Sequence, residues 1–317
     1  MRHFFLTLLL FLLIVIFLQF LIGSTPFFEQ ADLKKIDTFA HSKIDIVYFG
    51  DSVIGHIANS DKNKNTMPQL LQNKLFPLSV GTIDHGSYST IVYDAFTTYM
   101  QKTKYYPHYI IVPINLRSFS PDWEYFPPFQ FEQEIGSATT KDSLLYPFAS
   151  FISAYKGSIS MTLDQFKRLP VVYENKKVGI IGDFDNPTFL EYSEKHQKEK
   201  MLLYYLYTLS KKDAYIQSLQ HIAQKYSHTK THVLFYITPV DYQTGEKYFD
   251  KTFTNQVRKN AAVILNALSE KHALVLDLSL SLPHDDFDWK NEVYINEHLN
   301  QTGREFVVNQ LFKQITQ

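Results

Sequence analysis

Past its first two dozen residues the chain alternates short, continuous apolar runs with longer stretches of helical periodicity. The apolar runs are Ile44 to Gly50 (IDIVYFG), Leu78 to Ile83, Tyr109 to Ile114 (YIIVPI), His232 to Thr238 (HVLFYIT) and Ala273 to Leu278 (ALVLDL). Such runs, apolar at odd and even positions alike, read as strands buried on both faces. Helical patterns lie at Thr90 to Lys102, Lys200 to Tyr226 with a break near Lys211, Asn255 to Lys271 and Thr302 to Gln314. Strands alternating with helices predict the α/β class: a three-layer α/β/α sandwich around a mainly parallel sheet.

Two stretches depart from this alternation. Phe4 to Ile22 reads FFLTLLLFLLIVIFLQFLI, with Thr7 and Gln19 as its polar positions. As a helix it would be about 28 Å long, close to the thickness of a bilayer core. A cleaved signal peptide has a shorter apolar region and ends in a small-x-small site, which Leu21-Ile22-Gly23-Ser24 matches poorly. The pattern therefore predicts an uncleaved transmembrane anchor over 1–24, a linker over 25–43 and one domain over 44–317. Arg2 and the amino terminus precede the apolar run, so the positive-inside tendency places the domain outside the cytoplasm, periplasmic or extracellular. The second departure, about 118–199, is rich in aromatics and prolines (SFSPDWEYFPPFQF) and is expected to form a cap with short helices of its own. Its aromatics suit either a sugar or acyl ligand or packing onto the sheet.

Charge and composition narrow the chemistry. Lys and Arg total 31 against 32 Asp and Glu, for a net charge of -1, and no long basic run occurs, so nucleic acid is not an expected partner. The chain has no cysteine. That excludes thiol nucleophiles, thiolate metal sites and disulfides. Phosphate-cradling glycine motifs and the His-Glu-x-x-His run are missing, and the acidic His284-Asp285-Asp286 and Asp288 segment lacks EF-hand spacing, so neither a cofactor nor a metal is expected.

In a doubly wound sheet the informative residues follow the carboxyl ends of the strands. The first apolar run ends in Gly50-Asp51-Ser52, with Ser52 at a strand-to-helix junction where N–H groups are open to developing negative charge. Gly86 follows the second run, Asn115 directly follows YIIVPI, and His298 precedes the final helix in EHLNQTG. In this order the four residues resemble the blocks of the SGNH (GDSL-like) hydrolase superfamily, whose sheet is flavodoxin-like. The resemblance implies Ser52 as nucleophile, His298 as base, and an oxyanion hole from the Ser52 and Gly86 N–H groups with the Asn115 amide. Pro113 and Leu116-Arg117 depart from the pattern around Asn115. Ile295 stands where the family places its acid, so Asn296, Glu292, Glu297, Asp288, the Asp285-Asp286 pair or a backbone carbonyl remain alternatives for orienting His298.

Each residue also has a plainer reading: Asp51-Ser52 as a helix cap, Gly86 as a turn glycine, Asn115 as a loop cap and His298 as a structural histidine. His56 and His108 lack a comparable sequence context, whereas His85 lies close enough to the site to meet substrate. The resemblance, combined with the anchor, implies an extracytoplasmic serine esterase or O-acyltransferase. Its expected substrates are acyl esters, acetyl foremost, of an envelope glycan or lipid-linked molecule, with a membrane acyl donor as a possible partner. A catalytically inactive binding or assembly protein of the cell envelope is the other reading.

Overall fold

Each of the five apolar runs contributes a strand, and the helical stretches cover both faces of the resulting sheet. A computed structural model describes residues 2–23, 31–120, 131–140, 170–173, 176–180, 194–269, 271, 273–288 and 297–317. In chain order its elements are α1 (Arg2–Gly23), α2 (Ala31–Ser42), β1 (Ile46–Gly50), α3 (Ser52–Gly55), α4 (Met67–Leu75), β2 (Val80–Asp84), α5 (Thr90–Lys102), β3 (Tyr109–Ile114) and α6 (Glu132–Thr140). They continue with β4 (Pro170–Tyr173), β5 (Lys176–Ile180), α7 (Glu194–Tyr205), α8 (Ala214–Tyr226), β6 (His232–Ile237), α9 (Tyr242–Ser269), β7 (Leu274–Asp277) and α10 (Gln301–Thr316). The main sheet has the order β2-β1-β3-β6-β7 and every pairing in it is parallel. This is a three-layer α/β fold with its topological switch between β1 and β3, the place where such sheets bind ligands.

Strand alternation divides the core in two. Val47 and Phe49 of β1, Ile110 and Val112 of β3 and Phe235 of β6 face one layer, packed with residues of α2, α5, α8 and α9. Ile46 and Tyr48, Ile111, and Leu234 and Tyr236 face the other, against α4 and α10. Beneath the site Tyr48 and Tyr236 share a buried hydroxyl–hydroxyl hydrogen bond of 2.7 Å. Burial holds both phenols well above their ordinary range, so they are neutral spacers in the core.

Two segments differ from the sequence expectation. Residues 25–43, expected as a linker, carry α2, which belongs to the domain core: Leu33 and Ile36 are fully buried. Gly81 of β2 lies so close to Phe39 that a Cβ there would sit 2.8 Å from the ring. Tyr88 and Tyr99 donate to Asp32 and Asp37 at 2.6 Å each. The physical reason is that tyrosines on and before α5 satisfy the acids, so a helix reading mostly polar still docks. In the stretch 118–199 the described parts include α6 and an antiparallel hairpin, β4 with β5, where only short helices were expected; the remainder lies outside the described residues.

Helix α1 exposes its apolar side chains, Phe4 to 67% and Phe17 to 63%. Its described side chains end at Leu18, and among the described residues no helix is long and apolar enough to cross a membrane.

Candidate active site

The turn after β1 is built by close approach. A Cβ on Gly50 would lie 2.1 Å from the end of Ile54, so glycine lets α3 fold back directly over the strand end. Asp51 caps that single helical turn, accepting from the Val53 N–H at 2.8 Å. Ser52 is the first helical residue and is half-buried.

His298 arrives from the other end of the chain, on the loop before α10. Asn300 caps α10 through Gly303 N–H (3.3 Å) and donates its side chain to the Asp285 carbonyl (2.6 Å). The segment around His298 is stitched to the Asp286–Asp288 stretch by Asp288 N–H to the His298 carbonyl and Asn300 N–H to the Asp286 carbonyl, both at 3.0 Å. On α10 the fully buried Arg304 donates to the Leu299 carbonyl (3.2 Å) and pairs with Asp61. So held, His298 places Nε2 3.0 Å from Ser52 Oγ across 246 residues of chain. With the Ser52 hydroxyl donating, the ring accepts at Nε2 and carries its proton on Nδ1, the arrangement an activated serine requires.

Asn115 is the next strand end along. It caps the 3₁₀ turn Leu116–Phe119 by accepting from Arg117 N–H at 3.1 Å, and its amide donates to the second Asp51 oxygen at 3.2 Å. Asp51 thus fixes both the Ser52 turn and the Asn115 amide, whose NH₂ has a second proton for a ligand. Gly86 lies two residues past β2 and is exposed, in a turn brought to the end of β1 by a 3.3 Å hydrogen bond from His85 N–H to the Gly50 carbonyl. The positive φ of this turn falls on Ser87, at 73°, not on Gly86, and no atom crowds the Gly86 Cβ position. The plain turn-glycine reading of Gly86 therefore has no conformational basis here.

The alternatives for the third member separate as follows. Glu292, Ile295 and Asn296 lie outside the described residues. Glu297 is buried and forms an ion pair with the guanidinium of Arg117, which also lies over the Tyr204 ring at 5.7 Å. Burial is the largest single influence and opposes the Arg117 charge, but Glu297 together with Tyr204, Tyr205 and Asp51 prevails and raises the guanidinium's affinity for its proton. Asp288 bonds to His56, Oδ2 to Nε2 at 2.9 Å. Asp285 is exposed, while burial and the neighbouring Asp285 charge raise the Asp286 carboxyl. His284 turns instead to Asp241 and Thr244, at 2.5 and 3.1 Å.

His56 is the residue that sequence reasoning passed over. Its ring stacks on His298, with centroids 4.4 Å apart and planes 14° from parallel. A four-residue spacing from Ser52 is the only signal the sequence carries, and it gains meaning only because α3 stops at Gly55. His85 packs against Tyr88 at 5.1 Å and Phe131 at 5.6 Å, while His108 lies at the opposite end of the sheet beside Asp45.

No protein-family model matches the chain, and no curated protein matches it. Solved structures with detectable similarity include a lipase/acylhydrolase from Enterococcus faecalis, 11% identical, covering 85% of this chain and 94% of that one with a TM-score of 0.41. Axe2, an acetylxylan esterase from Geobacillus stearothermophilus, is 11% identical over 85% of this chain and 93% of its own, with a TM-score of 0.40. A carbohydrate acetylesterase family member from Sinorhizobium meliloti is 10% identical over 85% and 96%, with a TM-score of 0.38.

Proposed function

We propose that this chain is a serine acyl hydrolase or O-acyltransferase of the SGNH type. The observation that carries the reading is the 3.0 Å contact between His298 Nε2 and Ser52 Oγ at the sheet's switch point, with Asn115 on the adjoining strand end. His298 takes the Ser52 proton as Oγ attacks an ester carbonyl, and the carbonyl oxygen gathers negative charge facing the Ser52 and Gly86 N–H groups and the Asn115 amide. Collapse breaks the ester C–O bond, His298 returns the proton to the departing alcohol, and an acyl-serine remains. Water as second acceptor completes hydrolysis; a sugar hydroxyl completes transfer. No cofactor is needed.

The anchor completes the proposal. The apolar run from Phe4 to Ile22 and the exposed apolar side chains of α1 support insertion in a bilayer, with the domain on the extracytoplasmic side. That placement favours acylated envelope glycans or lipid-linked substrates, with a membrane acyl donor as partner if the reaction is a transfer. A fluorophosphonate probe tests the chemistry. Labelling of the wild type that disappears in Ser52→Ala and falls steeply in His298→Ala is expected. A folded wild type that takes no label would favour the catalytically inactive binding protein instead.

A further inference from the structure

The Ser52–His298 pair is backed by a second imidazole and a second carboxylate in an unusual arrangement. The Asp288 carboxylate bonds to His56 Nε2 through Oδ2, and its backbone N–H donates to the His298 carbonyl. His56 presents the face of its ring to the face of His298. The Asp288 side chain is 4% exposed and that of His56 21%, so the pair sits largely out of water, where electrostatic effects are strong.

We infer that Asp288 and His56 are positioning residues that act on His298 through ring stacking: His56, held through Nε2 by Asp288, is an aromatic platform for the imidazolium that His298 becomes. The inference rests on the acyl-transfer reading above. During attack on the ester the His298 ring gains a proton and a positive charge. An aromatic face attracts a cation, and a carboxylate hydrogen-bonded to the far edge of that ring increases its electron density. The same hydrogen bond fixes the His56 plane, and with it the plane of His298 and the aim of Nε2 at Ser52.

The other described charged groups on the segments that meet here are Asp51 at the start of α3, Asp84 beside Gly55 at the end of that helix, the Glu297–Arg117 pair next to His298 in sequence, and the Asp61–Arg304 pair before α4 and on α10. None of them is altered by changes at positions 56 and 288, and His56→Gln, which keeps the Asp288 charge, separates loss of the ring from loss of that charge.

The test uses the full-length chain in detergent and p-nitrophenyl acetate hydrolysis, with Ser52→Ala as the blank and thermal melting as the check on folding. Asp288→Asn keeps the shape and an acceptor for His56 but removes the charge. Its kcat is expected to fall on the order of 10- to 100-fold with KM within about twofold. The acid limb of its kcat/KM profile is expected to move to lower pH, because His298 protonation loses support. His56→Gln keeps a donor for Asp288 and removes the ring, and should lose kcat to a similar extent. An unchanged rate in either folded variant, or an acid limb that stays in place in Asp288→Asn, overturns the inference while leaving Ser52 catalysis intact. A folded wild type with no Ser52-dependent turnover overturns the acyl-transfer reading, and this inference falls with it.

Discussion

At Asp51 one carboxylate serves two masters: one oxygen holds the turn that presents Ser52, and the other holds the Asn115 amide. Asn115→Ala should therefore reduce kcat on the order of 10²- to 10³-fold, as expected for an oxyanion donor, with little change in KM, measured by steady-state ester hydrolysis. Asp51→Ala should disturb both groups at once, and the double variant with Asn115→Ala should be less than the product of the singles. The meeting of Ser52, Asn115 and His298 at one end of the sheet was legible because each follows a strand or precedes the last helix, where a doubly wound sheet gathers its loops. His56 and Arg117 were not, since their value comes from partners more than a hundred residues away, and no local pattern announces a stacked ring or a buried ion pair.

Among elements, the 3₁₀ turn after β3 and the His298 loop are joined by the Arg117–Glu297 pair. Both partners are buried, so removing one strands the other charge. Glu297→Ala should cost about 3–5 kcal/mol of stability in chemical denaturation, well beyond the effect of an exposed pair. Helix α2 makes a comparable prediction: Leu33→Ala should cost about 2–5 kcal/mol, where a linker residue would cost almost nothing. The sequence hid α2 because only Leu33 and Ile36 are fully buried in it and its first two turns otherwise read as mostly polar. At the opposite end of the sheet, hydrogen bonds from the Ser79 backbone N–H, outweighing burial, hold the Asp45 carboxyl below its ordinary value of 3.8. Asp61 is likewise held below 3.8: burial pushes it up, but bonds from Arg304 and from the Gln301 and Ala58 N–H groups prevail. A carboxyl whose folded value is depressed stabilises the fold above its unfolded value and loses that contribution as pH falls through the folded one. Urea midpoints should accordingly drop between about pH 5 and 3, and Asp45→Asn should flatten part of that drop.

Taken as a whole, the molecule sorts its strands' odd and even side chains into two separate cores, and this is why the strands appear in the sequence as unbroken apolar runs. That pattern made the α/β layering legible. The hairpin of β4 and β5 was not, because a short local pairing inside an aromatic-rich stretch has no distinguishing period. If α1 is an anchor, the full chain should sediment with membranes and a version beginning at residue 25 should not, while both keep the same melting temperature. The 246 residues between Ser52 and His298 bring a last consequence. On the proposed mechanism nucleophile and base come from opposite terminal portions of the polypeptide, so neither portion alone should turn over an ester, and a protease nick between them should spare activity only where the two pieces stay docked. Ester turnover would then work as a reassembly assay, reporting whether two separately made halves have found each other.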